Sequence, residues 1–297
     1  MQTPQKLQKK LAHAIGLTMP LYFKREDLHP LGSHKGRSIP VMINEYRRDG
    51  WKNFCISSSG NAALAAAQYI KNINSELKQK IRLQIFVGKN IDEKKLKILR
   101  RFAADKNINL TQTDNPKQLA FQMDMRNEAK NLRQSTDDIA LKGYESLANE
   151  LAKIKNLSAV FIPTSSGTAA QGLYEGFKKN NINPEIHIVQ TVACHPIAGS
   201  VMIEAVTSPL SAPKSVASAI VDKIAHRKSE VAEAVKKSQG AGWVPAEEEI
   251  KSAINLVKKN TGISVSPNSA LPVAGLMLAI KHNWQFNGPV VCLITGA

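Results

Sequence analysis

Short apolar runs and amphipathic segments alternate along most of the chain. The runs at residues 53–57, 158–163 and 290–294 are predominantly apolar, which is typical of strands buried on both faces. Between such runs, apolar residues recur at helical spacing. The alternation predicts an α/β fold of mostly parallel sheet covered by helices. The predicted strands are 21–23, 53–57, 83–87, 108–112, 158–163, 186–190 and 290–294, and the predicted helices are 5–15, one containing 39–43, 62–70, 92–104, 116–133, 138–154, 171–178, 247–260 and 270–280.

Length and composition place the chain among globular proteins. It has 297 residues, of which 43% are hydrophobic and 22% charged. No apolar run approaches the roughly 18 residues of a membrane span, and the first residues lack the apolar core of a signal peptide. The sequence therefore predicts a cytoplasmic protein with no membrane partner. Residues 208–242 are richer in Pro, Ser, Ala and Lys, and they predict loops and short helices.

The net charge of +16 raises the question of nucleic-acid binding. Such binding needs a basic cluster on one face, interleaved with aromatic residues. The basic residues are instead spread over many helix-like segments, and aromatic residues make up only 5% of the chain. We therefore expect no nucleic-acid partner, although a positive field raises the local concentration of small anions.

The three cysteines, Cys55, Cys194 and Cys292, each lie in or beside an apolar segment. They are far apart in sequence and lack the spacing of metal ligands. We expect buried free thiols and no metal site.

A lysine stands in a turn of small residues, just before a predicted helix. Lys35 lies within residues 31–37, and the apolar residues that follow suit a buried helical face. A lysine near a helix N-terminus, and partly desolvated, has its neutral form favoured, as attack on an aldehyde requires. The alternative is an ordinary solvated lysine.

Two further turns of small polar residues lie between a strand and a helix. Residues 58–61 lead into an alanine-rich helix, and residues 164–170 follow the strand at 158–163. Strand, turn and helix in this order point free backbone N–H groups at an anion, and hydroxyls can supplement them. Neither turn matches a P-loop or a dinucleotide-binding motif. Simple capping turns are the alternative.

Together these motifs resemble the fold-type II pyridoxal-phosphate enzymes. The resemblance rests on Lys24 to Leu28, Gly32 to Lys35, Ser57 to Asn61, the turn at 164–170, and Thr295 followed by glycine after the last strand. It spans almost the entire chain. The superfamily includes threonine synthases, threonine and serine ammonia-lyases, cysteine synthases and the tryptophan synthase β chain.

The resemblance implies a role for each motif. Lys35 takes the place of the lysine that forms the Schiff base with pyridoxal 5'-phosphate and moves protons at the substrate α-carbon. Asn61 matches the asparagine at the cofactor 3-hydroxyl, with a helix cap as the alternative. Thr295 matches the hydroxyl that faces the pyridine nitrogen, with a frayed terminal residue as the alternative. The substrate carboxylate would bind at Ser58, Ser59 and Gly60, and the cofactor phosphate at Ser165, Ser166, Gly167, Thr168 and Ala169.

One residue points to a different branch of the superfamily. His34, directly before the lysine, resembles the tryptophan synthase β chain, where this histidine touches the cofactor phosphate; an ordinary packed histidine is the alternative. Residues 190–197, 216–220 and 264–276 look most like threonine synthases.

The implied architecture is two α/β domains with the cofactor in the cleft between them. Residues 1–54 and 146–297 would form the larger, cofactor-binding domain, and residues 55–145 a smaller, mobile one. The implied partner is a second copy, in a homodimer. The implied activity is a lyase or synthase acting on a small β- or γ-substituted L-amino acid, most similar to conversion of O-phosphohomoserine to threonine and phosphate. A threonine or serine ammonia-lyase, or a cofactor-binding protein without turnover, remains open.

Overall fold

The computed structural model describes residues 2–202 and 214–296. Part of the predicted loop-rich segment, residues 208–213, lies outside the described residues. The chain divides into two compact units. The first unit is Met1–Leu28 with Tyr144–Ala297, and the second is His29–Gly143.

The first unit is built on a six-stranded sheet in the order β1-β2-β10-β7-β8-β9. Strand β1 is antiparallel to β2, and the other pairs are parallel. Strands β7 and β10 are almost wholly buried, as their unbroken apolar sequences predict. The strands are β1 Gln5–Leu7, β2 Leu21–Arg25, β7 Ala159–Pro163, β8 Glu185–Val189, β9 Gly242–Trp243 and β10 Val290–Ile294.

Helices cover this sheet. Helix α11 packs on β7, β8 and β10, and α8 packs against α7 and α9. Short 3-10 helices occur at Glu26–Leu28 and Ala198–Ser200. The helices of this unit are α1 Lys9–Ala14, α7 Glu145–Leu151, α8 Thr168–Lys179, α9 Lys228–Lys237, α10 Glu247–Thr261 and α11 Pro267–Lys281.

The second unit has a fully parallel four-stranded sheet in the order β5-β4-β3-β6. Its core is formed by apolar residues of α2, α3, α4 and the three longer strands. The strands are β3 Asn53–Ser57, β4 Arg82–Gly88, β5 Ile108–Thr113 and β6 Lys130–Asn131; the helices are α2 Lys35–Arg48, α3 Asn61–Glu76, α4 Glu93–Phe102, α5 Pro116–Met125 and α6 Ile139–Lys142. The prediction of an α/β fold with a mostly parallel sheet in each unit is confirmed.

Three predicted helices differ most from the observed elements. The helix predicted at 5–15 begins only at Lys9, because β1 pairs with β2 before it. The helix predicted at 116–133 ends at Met125, beyond which Asn127 has a positive φ of 54° and β6 pairs with β3. The helix predicted at 138–154 is two helices, α6 and α7, separated at Gly143–Tyr144.

The boundary of the second unit differs from the predicted domain boundary. The sequence predicts residues 29–54 in the larger domain, whereas they belong with residues 55–143 to the second unit. The physical reason is that α2 packs on α3 and α6. Its apolar residues Ile39, Met42 and Ile43 are buried in the core of the second unit.

The N-terminal segment is held by a buried lysine. Lys24 in β2 is fully buried and pairs with Glu150 of α7. Its Nζ also donates to Thr3 O at 2.7 Å and to Gln5 Oε1 at 3.1 Å. A buried ammonium is costly unless it is paired and hydrogen-bonded. These contacts therefore fix where β1 lies.

A buried histidine organises the opposite part of the same sheet. His187 in β8 stacks on Phe161, with ring centroids 4.4 Å apart. Its Nδ1 accepts from Ala241 N at 3.2 Å and from Trp243 Nε1 at 3.0 Å. Because Nδ1 accepts, the proton lies on Nε2, which is 2.9 Å from Glu185 Oε2. Protonation of Nδ1 would break both accepted bonds.

The described residues also bear on three sequence predictions. The cysteines are buried free thiols, as predicted. Among residues 2–202 and 214–296, no helix is long and apolar enough to cross a membrane. The same ranges contain no group of three or more His, Cys, Asp or Glu residues that could hold a metal ion.

We predict an acid-sensitive contribution of His187 to stability. Burial lowers the pKa of His187 below its ordinary 6.5, with Glu185 opposing the shift in part. Below pH 6.5 the unfolded chain therefore binds more protons than the folded chain. The contribution of neutral His187 to the free energy of unfolding is present above pH 6.5 and is lost as the pH falls below it. The Tm of each protein would be measured at pH 7.5 and at pH 5.5. The Tm of the wild type should fall further between these values than that of His187→Gln, by about 2 °C or more.

His13→Gln, at an exposed histidine, is the matched control and should keep the wild-type pH slope. Equal slopes in all three proteins would contradict the assignment to His187.

Candidate active site

Lys35 is the first residue of α2, directly after a tight turn. Gly32 in that turn has a φ of 78°, which a residue with a side chain rarely adopts. The backbone N–H of Lys35 donates to Ser33 Oγ at 3.3 Å. The small residues of the sequence motif therefore shape the turn that begins the helix.

A histidine outside the recognised motif packs behind this turn. A side chain added at Gly36 would place its Cβ 2.2 Å from His29 Nδ1. The same ring nitrogen accepts from Leu31 N at 3.1 Å. His29 therefore explains why glycine follows the lysine, a contact that no sequence pattern indicated.

The side chain of Lys35 is partly buried, and its amine has a lowered pKa. Desolvation by burial lowers the pKa of its amine from 10.5 to about 8. At neutral to mildly alkaline pH, a substantial fraction of this amine is neutral and can act as a nucleophile or base. Partial burial and the lowered pKa favour a reactive amine over an ordinary solvated lysine.

The first predicted cradle opens α3 after β3. Gly60 is the N-cap of α3, and no side chain bonds to the free N–H groups of the first turn. Ser58 Oγ accepts from Gly60 N at 3.3 Å and shapes the turn. Asn61 is the first helical residue and not the cap, so the capping alternative is wrong. The exposed Ser59 completes a turn whose backbone N–H groups are available to an anion.

The second predicted cradle opens α8 after β7. Its N-cap, Gly167, has a φ of 86°, and α8 has no side-chain cap. A side chain at Gly167 would place its Cβ 2.6 Å from Val231 Cγ2, so only glycine fits. Ser166 Oγ and Thr168 Oγ1 are 2.9 Å apart at the rim of the turn. Helix α8 begins at Thr168, three residues before the prediction, which brings Thr168 and Ala169 into its first turn.

A buried glutamine, which no sequence motif indicated, makes hydrogen bonds at the carboxyl edge of the first unit's sheet. Gln190, at the end of β8, donates to Thr164 O at 3.1 Å. Its Oε1 accepts from the backbone N–H groups of Ile197 and Ala198, at 2.9 and 2.8 Å. The bonds tie the start of the α8 cradle to the loop after β8. The next residue, Thr191, has a buried hydroxyl without a hydrogen-bond partner among the described residues.

Thr295 directly follows β10, the strand that pairs with β7. Only 5% of its surface is exposed. The next residue is held by α11, because Ser266 Oγ and Ser269 Oγ each donate to Gly296 O at 2.8 Å. The alternative of a frayed terminal residue is therefore wrong.

The predicted site residues fall into two groups, one in each unit. Residues 165–169 and Thr295 lie at the carboxyl edge of the parallel strands of the first unit. Lys35, His34 and residues 58–61 lie in the second unit. The roles inferred from the resemblance, including a contact of His34 with a phosphate, stay predictions.

The chemistry of each group fits the expected cofactor. In the first unit, an uncapped helix N-terminus and small hydroxyl residues suit a phosphate. In the second unit, an amine of lowered pKa suits an aldehyde carbon. No acidic residue occurs in residues 164–170 or 58–61 to repel an anion.

Comparisons with known proteins agree with this chemistry. Residues 2–296 match the family model described as pyridoxal-phosphate dependent enzyme. The threonine synthase of Mycobacterium tuberculosis is 24% identical to this chain over 298 residues, which cover 99% of this chain and 80% of the relative. The threonine synthase of Methanosarcina acetivorans is 26% identical over 306 residues, covering 99% and 74%.

Solved structures show the same fold at lower identity. The processed form of threonine deaminase isoform 2 from Solanum lycopersicum has a TM-score of 0.78 at 20% identity, over 100% of this chain and 79% of that one. Maize serine racemase has a TM-score of 0.81 at 17% identity, over 100% and 88%. Because the match covers almost the whole chain, the chain belongs to the pyridoxal-phosphate-dependent enzymes, as a lyase or synthase whose cofactor is pyridoxal 5'-phosphate.

Proposed function

We propose that the protein is a threonine synthase-like enzyme that converts O-phosphohomoserine to threonine and releases phosphate. The observation that carries the proposal is Lys35, a partly buried amine of lowered pKa in the motif expected of the cofactor lysine. The curated relatives that align along the chain support the substrate, because they are named threonine synthases. The net charge of +16 also favours a phosphorylated substrate.

Lys35 would hold the aldehyde carbon of the cofactor and move the proton at the substrate α-carbon. When bound, the cofactor supplies an electron-withdrawing ring that stabilises negative charge at this carbon. A base works best when its pKa is near the working pH. Burial brings the pKa of Lys35 to about 8, where the amine can both accept and return a proton.

The two uncapped helices would orient the anionic groups. Backbone N–H groups at the start of α8 would bind the cofactor phosphate, with Ser166 and Thr168 adding hydroxyl donors. The N–H groups at the start of α3 would bind the substrate carboxylate, beside Ser58. Binding at fixed backbone dipoles orients both groups with little reorganisation.

Thr295 would face the pyridine nitrogen. A hydroxyl cannot keep that nitrogen protonated as a carboxylate would, which favours elimination or replacement at the β- or γ-carbon over transamination. The bonds that hold Gly296 to Ser266 and Ser269 would fix this hydroxyl. A homodimer and a cytoplasmic location stay predictions.

We predict that Lys35 titrates near pH 8 in the cofactor-free protein. Its modification by a small amine-directed acylating reagent, followed by peptide mass spectrometry, should reach half its maximal rate near pH 8. A midpoint near the ordinary lysine value of 10.5 would contradict the desolvated environment. Modification of the exposed Lys236 in the same sample serves as the internal comparison at each pH.

We also predict phosphate release from O-phosphohomoserine by the holoprotein. Lys35→Arg keeps the charge but places it on a group that does not deprotonate. This change should lower the rate of phosphate release by at least about 100-fold, because a general base commonly contributes at least that factor to the rate. Lys236→Gln, at an exposed lysine of α9, should leave the rate unchanged.

The same assay separates the alternatives. Keto-acid formation from threonine or serine, without phosphate release from O-phosphohomoserine, would replace the proposal with an ammonia-lyase. A cofactor spectrum that no amino acid alters would identify a binding protein without turnover.

A further inference from the structure

The side chain of Gln190 connects the α8 cradle to the loop after β8. Its backbone N–H donates to Trp243 O in β9 at 3.0 Å, which fixes the residue at the end of β8. Its side-chain amide donates to Thr164 O at 3.1 Å and accepts from the N–H groups of Ile197 and Ala198 at 2.9 and 2.8 Å. Gln190 is fully buried, where hydrogen bonds are stronger than in water.

The bond to Thr164 sets the direction of the next peptide N–H. Both backbone groups of Thr164 face β8, because its N–H donates to Val189 O at 2.9 Å and its C=O accepts from Gln190. In a planar trans peptide, the N–H of Ser165 points opposite to the C=O of Thr164. The Ser165 N–H is therefore directed away from β8. In the strand order, that side of β7 is occupied by β10, the strand that Thr295 follows.

The other bonds of Gln190 hold the loop that packs behind the cradle. Cδ1 of Ile197 lies 3.3 Å from the Cβ position that a side chain at Gly167 would occupy. On its other side this loop touches β9, because a Cβ at Gly242 would lie 2.5 Å from Ala198 O. The loop is therefore confined between Gly167 and β9, and a shift of the loop would move the atoms that surround Gly167.

A cradle of backbone N–H groups binds an anion only when those groups point at it. A hydrogen bond weakens steeply when its donor angle falls below about 120°. No side chain caps the start of α8, so its first N–H groups are directed by the main chain alone. Gln190 holds that main chain directly at Thr164 and, through Ile197, behind Gly167. Because its amide is neutral, it acts by orientation and not by charge.

We propose that Gln190 is a positioning residue that makes the α8 cradle select the phosphorylated form of the cofactor. It orients the N–H of Ser165 through Thr164 and holds Ile197 behind the turn. The inference rests on the proposed role of residues 165–169 as the phosphate cradle. It gives the loop after β8 a part in cofactor binding.

The test compares pyridoxal 5'-phosphate with pyridoxal, which lacks the phosphate. Dissociation constants of both would be measured on the full-length apoprotein by tryptophan fluorescence. Gln190→Met keeps a side chain of similar length but makes none of the three hydrogen bonds. It should weaken binding of pyridoxal 5'-phosphate about tenfold, as expected when one hydrogen bond to a charged group is lost. Pyridoxal binding should change less than about twofold, because pyridoxal has no phosphate to accept that bond.

Two further variants separate orientation from a general loss of stability. Gln190→Asn keeps the buried amide but is one CH₂ shorter, so it cannot reach Thr164 and Ile197 at once; it should also reduce the preference, and it decides the test if Gln190→Met does not fold. Asn74→Leu is the matched control, because Asn74 is a buried amide of the second unit that bonds to both backbone groups of Ile81. It should leave the ratio of the two constants unchanged.

Equal weakening of both ligands by the Gln190 variants, or weakening of neither, would overturn the inference. A reduced preference in Asn74→Leu of the same size would do so as well, because the effect would then follow from lost stability.

A cradle variant separates this inference from the proposed function. Thr168→Val removes a buried hydroxyl from the first turn of α8. If it reduces the preference for the phosphorylated form and the Gln190 variants do not, only the role of Gln190 fails. If none of these variants reduces that preference, the assignment of residues 165–169 fails as well.

Discussion

The structure depends on one property of parallel sheets: helices that follow the strands begin at the carboxyl edge, with free backbone N–H groups. The first four N–H groups of a helix have no partner within the helix. In α3 and α8 no side chain takes the position of a cap, and glycine occupies the N-cap. The sequence thus leaves donors open at the edges of both sheets, where an anion can bind.

Two buried ionisable residues of the first unit, Lys24 and His187, are closely hydrogen-bonded. Lys24 is enclosed by a carboxylate and backbone or side-chain oxygens, and His187 by two donors and a carboxylate. Such fully bonded groups stabilise one arrangement of the sheet. The open helix N-termini and the desolvated amine of Lys35 contrast with these groups, and they support the proposed site because perturbed ionisable groups concentrate at active sites.

The sequence predicted most of the fold because β7 and β10 are continuously apolar and the helices have clear periodicity. The helix predicted at 5–15 was partly wrong because β1 depends on pairing with β2 and on burial of Lys24, which are contacts distant in sequence. The helix predicted at 116–133 was too long because the spacing of apolar residues does not reveal the positive φ of Asn127, where the chain turns. Lys35 and the two cradles stood out because glycine, serine and the lysine are adjacent along the chain. Gln190 did not, since its partner Thr164 is distant along the chain.

The central claim is that Lys35 is the lysine to which pyridoxal 5'-phosphate is attached. The most direct measurement is borohydride reduction of the holoprotein, proteolysis and mass spectrometry of the peptides. We expect the added mass of the reduced cofactor on the peptide that contains Lys35, and none in Lys35→Ala treated in the same way. Attachment at a different lysine, or no attachment in protein produced with ample cofactor, would contradict the account.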